Sequence, residues 1–288
     1  MSHLTMQQAM TRSEHNILSI PSPFAIRGTI KVLESKSADP SSILDKLFRG
    51  EYDKPFLLED GETRFLYFSF AHVQSAMCIR HPEALELAYT RKMMSFALFN
   101  PKPRKILMLG LGGGSLAKFC HTHYPNAEIT VVEINRHVLA FRDEFHVPRE
   151  SERFSIVLAD AAEFMAATQQ TFDVILADAF DRNGFASSVC NREFYANLKR
   201  ATGDSGMLVS NLAGNKKERA AHLRMLRQTF GKKTLSIPVS FDDNDIAIAF
   251  GNPSFVPNWE GVFERACQLD QIEGVDYLKY ARKLMAHN

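Results

Sequence analysis

The chain has little cysteine, a single tryptophan and no long apolar run. Its four cysteines, Cys78, Cys120, Cys190 and Cys267, lie far apart with no CxxC pair. That spacing argues against a zinc ribbon or a disulfide frame and suits reduced thiols that simply pack. No stretch approaches the roughly 18 apolar residues of a membrane span, and the polar opening MSHLTMQQAMTRSEHN lacks the apolar centre of a secretory signal. A soluble, cytoplasmic protein with no membrane partner is expected. An excess of one charge sign is also missing, with 34 Lys and Arg against 33 Asp and Glu, so no broad field favours nucleic acid. His121 and His123 fall two residues apart on a helical pattern and do not share a face, so no metal site is expected.

What the chain does have is 288 residues with 45% hydrophobic content, enough for a full core and a second small one. From Lys105 onward, apolar runs alternate with segments of helical period: KILMLG, EITVVE, FSIVLA, FDVILA, GMLVSN, then TLSIPV and DIAIAF. Continuously apolar runs suit strands covered on both faces, which predicts a mainly parallel, doubly wound α/β sheet. The last two runs have no room for a crossover helix between them and predict an antiparallel hairpin at the sheet edge. Before Lys105 the texture is β-branched and aromatic, broken by Pro, Gly and Asp-Gly, which predicts a small antiparallel β domain. Residues 1–15 are expected to be disordered, 16–80 to form the β domain, 81–100 a connecting helix starting near Pro82, 101–251 the Rossmann-like domain and 252–288 a helical tail. The Met and Phe residues of KMMSFALF suit a domain-bridging helix, and the basic helix around NKKERAAHLRMLRQTFGKK keeps Leu223, Leu226 and Phe230 at core spacing, so its cations form a solvated face.

The candidate site begins at the turn LGLGGGS, where Gly110, Gly112, Gly113 and Gly114 join a strand to a helix. Missing β-carbons there let a ligand lie against the backbone and the positive helix start. Either a nucleotide pyrophosphate or the nucleoside of S-adenosylmethionine suits that corner. Glu133 ends the second strand, about 20 residues on, where a carboxylate accepts hydrogen bonds from a ribose diol. Asp160, followed by Ala161, ends the third and suits the exocyclic amine of adenine. Either acid could instead cap the helix that follows. The fourth strand leaves Asp178 at its carboxyl end and Asp181 three residues on. Two acids at that mouth point to a small cationic amine as substrate. An amine with a pKa near 10 must lose a proton before it attacks, so Asp178 is the candidate base and Asp181 the candidate ammonium ligand.

These segments resemble the polyamine aminopropyltransferase (spermidine synthase) family across nearly the whole chain. The residues that carry the likeness are NPKPRKILMLGLGGG, VVEIN, ADAAEFM and FDVILADAFD. The resemblance implies a class I methyltransferase-like Rossmann fold preceded by the β domain, and an enzyme active as a homo-oligomer, dimer or tetramer. It implies transfer of the aminopropyl group of decarboxylated S-adenosylmethionine to an amine such as putrescine, with methylthioadenosine leaving and no metal required. It assigns Glu133 to the ribose, Asp160 to the adenine, Asp178 to base catalysis with Asp181 beside it, Gln74 to the nucleoside and Tyr89 to the active site. The chain also departs from the family. Gly113 stands where the family carries an Asp that grips the aminopropyl ammonium, Arg91 and Arg182 replace other family residues, and Asn211 stands for a Gln or Glu. The amine-pocket stretch reads PVSFDD, with Asp242 and Asp243 able to meet a far ammonium or merely to form a turn. A methyltransferase using ordinary S-adenosylmethionine, its carboxylate met by bare loop amides and Arg91, is the alternative; a nucleoside-binding sensor without turnover is another.

Overall fold

A computed structural model describes residues 16–24, 28–181, 184–185, 189, 191–239, 244–272 and 274–287, with the backbone alone at 180–181, 184–185 and 287. The expectations for residues 1–15, Arg182, Cys190, Asp242 and Asp243 lie outside the described residues. Strands β1 (Ile17–Pro21), β2 (Thr29–Leu33), β3 (Phe56–Glu59), β4 (Thr63–Ser69) and β5 (His72–Cys78) pair in sequential order as an antiparallel sheet. The Asp-Gly signal works as read: Asp60 Oδ1 accepts from the amides of Glu62 and Thr63 at 2.9 and 2.7 Å, closing the β3–β4 turn.

Helix α1 (Pro40–Arg49) lies between β2 and β3 in the chain, which the β-only reading of 16–80 did not include. Its signals are local. Asp39 accepts from the amides of Ser41 and Ser42, Pro40 opens the first turn, and Gly50 closes the last in the left-handed region. Ile43 and Leu47 then pack with Ile20, Ile30, Val32 and Phe56 in a small core.

Residues 81–100 also differ from expectation. Helix α2 (Ala88–Met93) starts six residues after Pro82 and runs into a 3₁₀ turn, Met94–Leu98. The Arg91 guanidinium takes the carbonyls of Leu85 and Glu86 at 2.5 and 2.8 Å, oxygens that a longer helix would use for its own ladder. Met93, Met94, Phe96, Ala97 and Leu98 are fully buried and do bridge, sharing one apolar cluster with Leu57, Leu66 and Met77 of the first sheet and Ile106, Val131 and Leu176 of the second.

The second sheet holds β6 (Lys105–Leu109), β7 (Glu128–Glu133), β8 (Phe154–Leu158), β9 (Val174–Ala177), β12 (Met207–Leu212), β13 (Leu235–Pro238) and β14 (Asp245–Phe250), in the order β13-β14-β12-β9-β6-β7-β8. Strands β6, β7, β8, β9 and β12 are parallel, and the β13–β14 hairpin is antiparallel as expected. A short ribbon, β10 (Phe180–Asp181) with β11 (Gly184–Phe185), follows β9. Helices α3 (Ser115–His123), α4 (Arg136–Leu139), α5 (Ala161–Ala167), α6 (Arg192–Thr202), α7 (Lys216–Phe230), α8 (Trp259–Leu269) and α9 (Tyr277–His287) complete the chain. Among the described residues, no helix is long and apolar enough to cross a membrane.

Candidate active site

Strand order reverses between β6 and β9, since β7 and β8 lie to one side of β6 while β9 and β12 lie to the other. The crevice above such a switch point is where open α/β sheets bind ligands. Gly110 leaves β6 at φ +99°, and a β-carbon there would sit 2.3 Å from the carbonyl oxygen of Asp178. Glycine is therefore what lets the two strand ends approach each other. Gly112 and Gly114 continue the turn, Gly114 preceding the first residue of α3.

The turn's amides are committed within the protein. Gly110 N–H donates to Val132 O, Leu111 N–H to Glu133 Oε2 at 2.9 Å, Gly113 N–H to Ser75 Oγ at 2.8 Å and Gly114 N–H to Leu111 O. The Gly112 amide also faces the Glu133 carboxylate. The bare amides expected of a carboxylate cradle are thus not present at Gly110–Gly114, and Arg91, turned onto Leu85 and Glu86, already holds two carbonyls.

Glu133 is buried and accepts from Leu111 N–H and, at 2.7 Å, Asn135 N–H. Burial pushes its carboxyl above the usual range, against the pull of those amides. Asp160 caps α5, accepting from the amides of Ala162 and Glu163 through Oδ1, so the structural role weighed for it is real. Ala161, the first residue of α5, is buried beneath the rim. Glu133, in contrast, caps no helix; Asn135 does that for α4.

Asp178 stands half-buried just beyond β9. Tyr89 OH, from α2, donates to its Oδ2 at 3.1 Å, and Asn211 Nδ2, from β12, donates to its Oδ1 at 2.8 Å. Burial raises the Asp178 carboxyl above the ordinary carboxylate range, and the two hydrogen bonds oppose the shift. A desolvated carboxylate held by two neutral donors is a stronger proton acceptor than one paired with a cation. The Asp181 backbone lies in β10, close beyond, and its side chain is outside the described residues.

The first sheet reaches the site through β5. Gln74 is half-buried there, and its neighbour Ser75 makes the bond to Gly113. The place of the family's acid is filled: a β-carbon on Gly113 would lie 2.9 Å from the Phe145 ring and 2.9 Å from Ser75 Cβ. Lys118 Nζ donates to Phe145 O at 2.8 Å, and burial lowers this ammonium to about 7. Sequence reading missed Ser75, Phe145 and the bond from Asn211 to Asp178. Only Asn211 left a local trace, a polar side chain that with Ser210 breaks the apolar run of β12. Among the described residues, no three of His, Cys, Asp and Glu cluster as metal ligands.

The fold and its switch-point crevice define a Rossmann-type, class I methyltransferase-like protein carrying an antiparallel β domain in front. The sequence model of the spermine/spermidine synthase domain matches residues 86–236. A polyamine aminopropyltransferase of Chromobacterium violaceum is 32% identical over 231 residues, 80% of this chain and 88% of the relative. The chain belongs to the spermine/spermidine synthase family, a family of transferases. In fold, it is similar to a spermidine synthase in complex with the transition state analogue AdoDATO (TM-score 0.64, 15% identity, 81% of this chain and 82% of that one). It is similar also to the spermidine synthase of Thermotoga maritima (TM-score 0.63, 15% identity, 81% of each chain).

Proposed function

We propose that the protein transfers the aminopropyl group of decarboxylated S-adenosylmethionine to a small cationic amine of the putrescine type. The observation that carries this reading is Asp178: a desolvated carboxylate at the switch point, held by Tyr89 and Asn211 and raised in basicity by burial. Glu133 and Asp160 lie at the ends of the neighbouring strands, where a ribose and an adenine would be held, with Gly110, Gly112 and Gly114 beneath them. Ile134, 62% exposed, and Leu158 leave apolar surface at the same rim for a purine face. Gln74 would reach the nucleoside from β5. The commitment of the loop amides and of Arg91 favours a donor without a carboxylate over ordinary S-adenosylmethionine.

In this reading the bound ammonium loses a proton to Asp178, and the freed nitrogen lone pair attacks the carbon beside the sulfonium. A C–N bond forms as the C–S bond breaks, its electrons returning to sulfur, so methylthioadenosine leaves as a neutral thioether. The leaving group is already activated by its charge, and the protein has to supply contact, dryness and one proton acceptor. Asp181 would hold the ammonium near the base, and Tyr89 would keep the carboxylate turned towards it. The enzyme would work in the cytoplasm as a homo-oligomer.

The test is a product assay with each donor in turn and a panel of di- and polyamines. Methylthioadenosine formed from the decarboxylated donor is the expected outcome. S-adenosylhomocysteine formed from ordinary S-adenosylmethionine would replace this reading with a methyltransferase, and donor binding with neither product would replace it with a sensor.

A further inference from the structure

Ser210 of β12 stands in register with Ala177 of β9, so Asn211 comes level with Asp178 just past the end of the parallel pairing. Asn211 is only 2% exposed, and the two polar ends of its side chain are treated differently. Nδ2 donates to Asp178 Oδ1 at 2.8 Å. Oδ1 is buried and accepts no hydrogen bond among the described residues. An ionised carboxylate only accepts, so the amide must turn its nitrogen to Asp178 and leave its carbonyl orphaned. Burying an orphaned carbonyl weakens a fold, and the bond from the same side chain to Asp178 is what offsets it. The polar contacts of this residue therefore centre on Asp178.

The opposite edge of the same carboxylate is held by Tyr89, from a different element. With one donor on each oxygen, rotation of the Asp178 carboxyl breaks both bonds, and each oxygen keeps a lone pair free. We propose that Asn211 is a positioning residue for the transfer reaction: its amide fixes the plane of the Asp178 carboxylate and keeps it ionised to receive the proton of the attacking amine. This inference rests on Asp178 being the base of the proposed reaction. It gives Asn211 its effect through Asp178, without contact to either substrate.

The experiment compares wild type with Asn211→Leu, Asn211→Asp and Asn211→Gln by thermal unfolding, by the pH profile of kcat, and by carbon-detected NMR titration of the Asp178 carboxyl, which needs no turnover. Asn211→Leu is expected to fold with an unfolding midpoint lowered by no more than the loss of one hydrogen bond to a charged group, and to leave the KM for the donor within about twofold. It should lower kcat near neutrality by about 10- to 100-fold, as loss of a hydrogen bond to a charged group predicts. Its acid limb should move up by about one pH unit. Asn211→Asp should move the limb further by like-charge repulsion, and Asn211→Gln should recover part of kcat. An acid limb and an Asp178 titration unmoved in both Asn211→Leu and Asn211→Asp would overturn the proposal, and if Asn211→Leu does not fold, Asn211→Asp and Asn211→Gln decide it. If wild type transfers no aminopropyl group, the functional reading fails while the NMR titration still decides whether Asn211 governs Asp178.

Discussion

The Ser75 hydroxyl accepts the Gly113 amide hydrogen at 2.8 Å, fastening the last strand of the first sheet to the glycine turn of the second. Both groups are buried, so the bond has no water to replace it. Ser75→Ala should leave that amide orphaned and lower stability by about 1–3 kcal/mol. Methylthioadenosine affinity, measured by calorimetry beside a denaturant titration, should fall with it. Unchanged stability and affinity would mean that the turn holds its own shape.

Gly113 marks the main departure from the family, and its surroundings explain why an acid is not simply interchangeable there. Phe145 and Ser75 already occupy the space that a β-carbon would enter. Gly113→Asp should destabilise by about 1–3 kcal/mol through overpacking. Adding Phe145→Leu should return part of that loss, a coupling visible in a double-mutant cycle of unfolding free energies. Strict additivity would refute the packing argument.

Asp178→Asn separates chemistry from binding. Turnover should fall by about 100- to 10,000-fold with loss of the general base, while nucleoside affinity stays nearly intact. Stability should respond in the opposite sense. Burial holds the native Asp178 carboxyl above its ordinary value, so the native state binds this proton more tightly than the unfolded chain and ionisation at neutral pH weakens the fold. The Asn variant should melt at or above the wild-type temperature at pH 7, and the advantage should disappear as pH falls below about 4. Retained turnover would remove Asp178 from the role of base.

Away from the site, His222 of α7 and Tyr195 of α6 share a buried hydrogen bond of 2.9 Å. Burial lowers the His222 imidazole from its ordinary value, partly offset by Glu218. The unfolded chain therefore takes up this proton first, and the fold should lose stability as pH drops below about 6.5. His222→Gln should flatten the dependence of melting temperature on pH between 7.5 and 5.5. A slope that survives the substitution would assign the acid sensitivity to other groups.

The order of the candidate site along the chain can be read from the residues alone. Apolar runs, a glycine cluster and acids at strand ends are local patterns, so the crevice and the strand-end positions of the candidates Glu133, Asp160 and Asp178 are legible from spacing. Even the overlooked α1 had its Asp39, Pro40 and Gly50 signals in plain view. Which groups face one another depends on how the chain packs. Tyr89 and Asn211 meet Asp178 from 89 and 33 residues away, and Ser75 reaches Gly113 across 38. Such contacts follow from strand order and from a core shared between two sheets, so no periodicity encodes them. The basicity of Asp178 was hidden for the same reason, because burial is a property of the packed molecule and not of the residue.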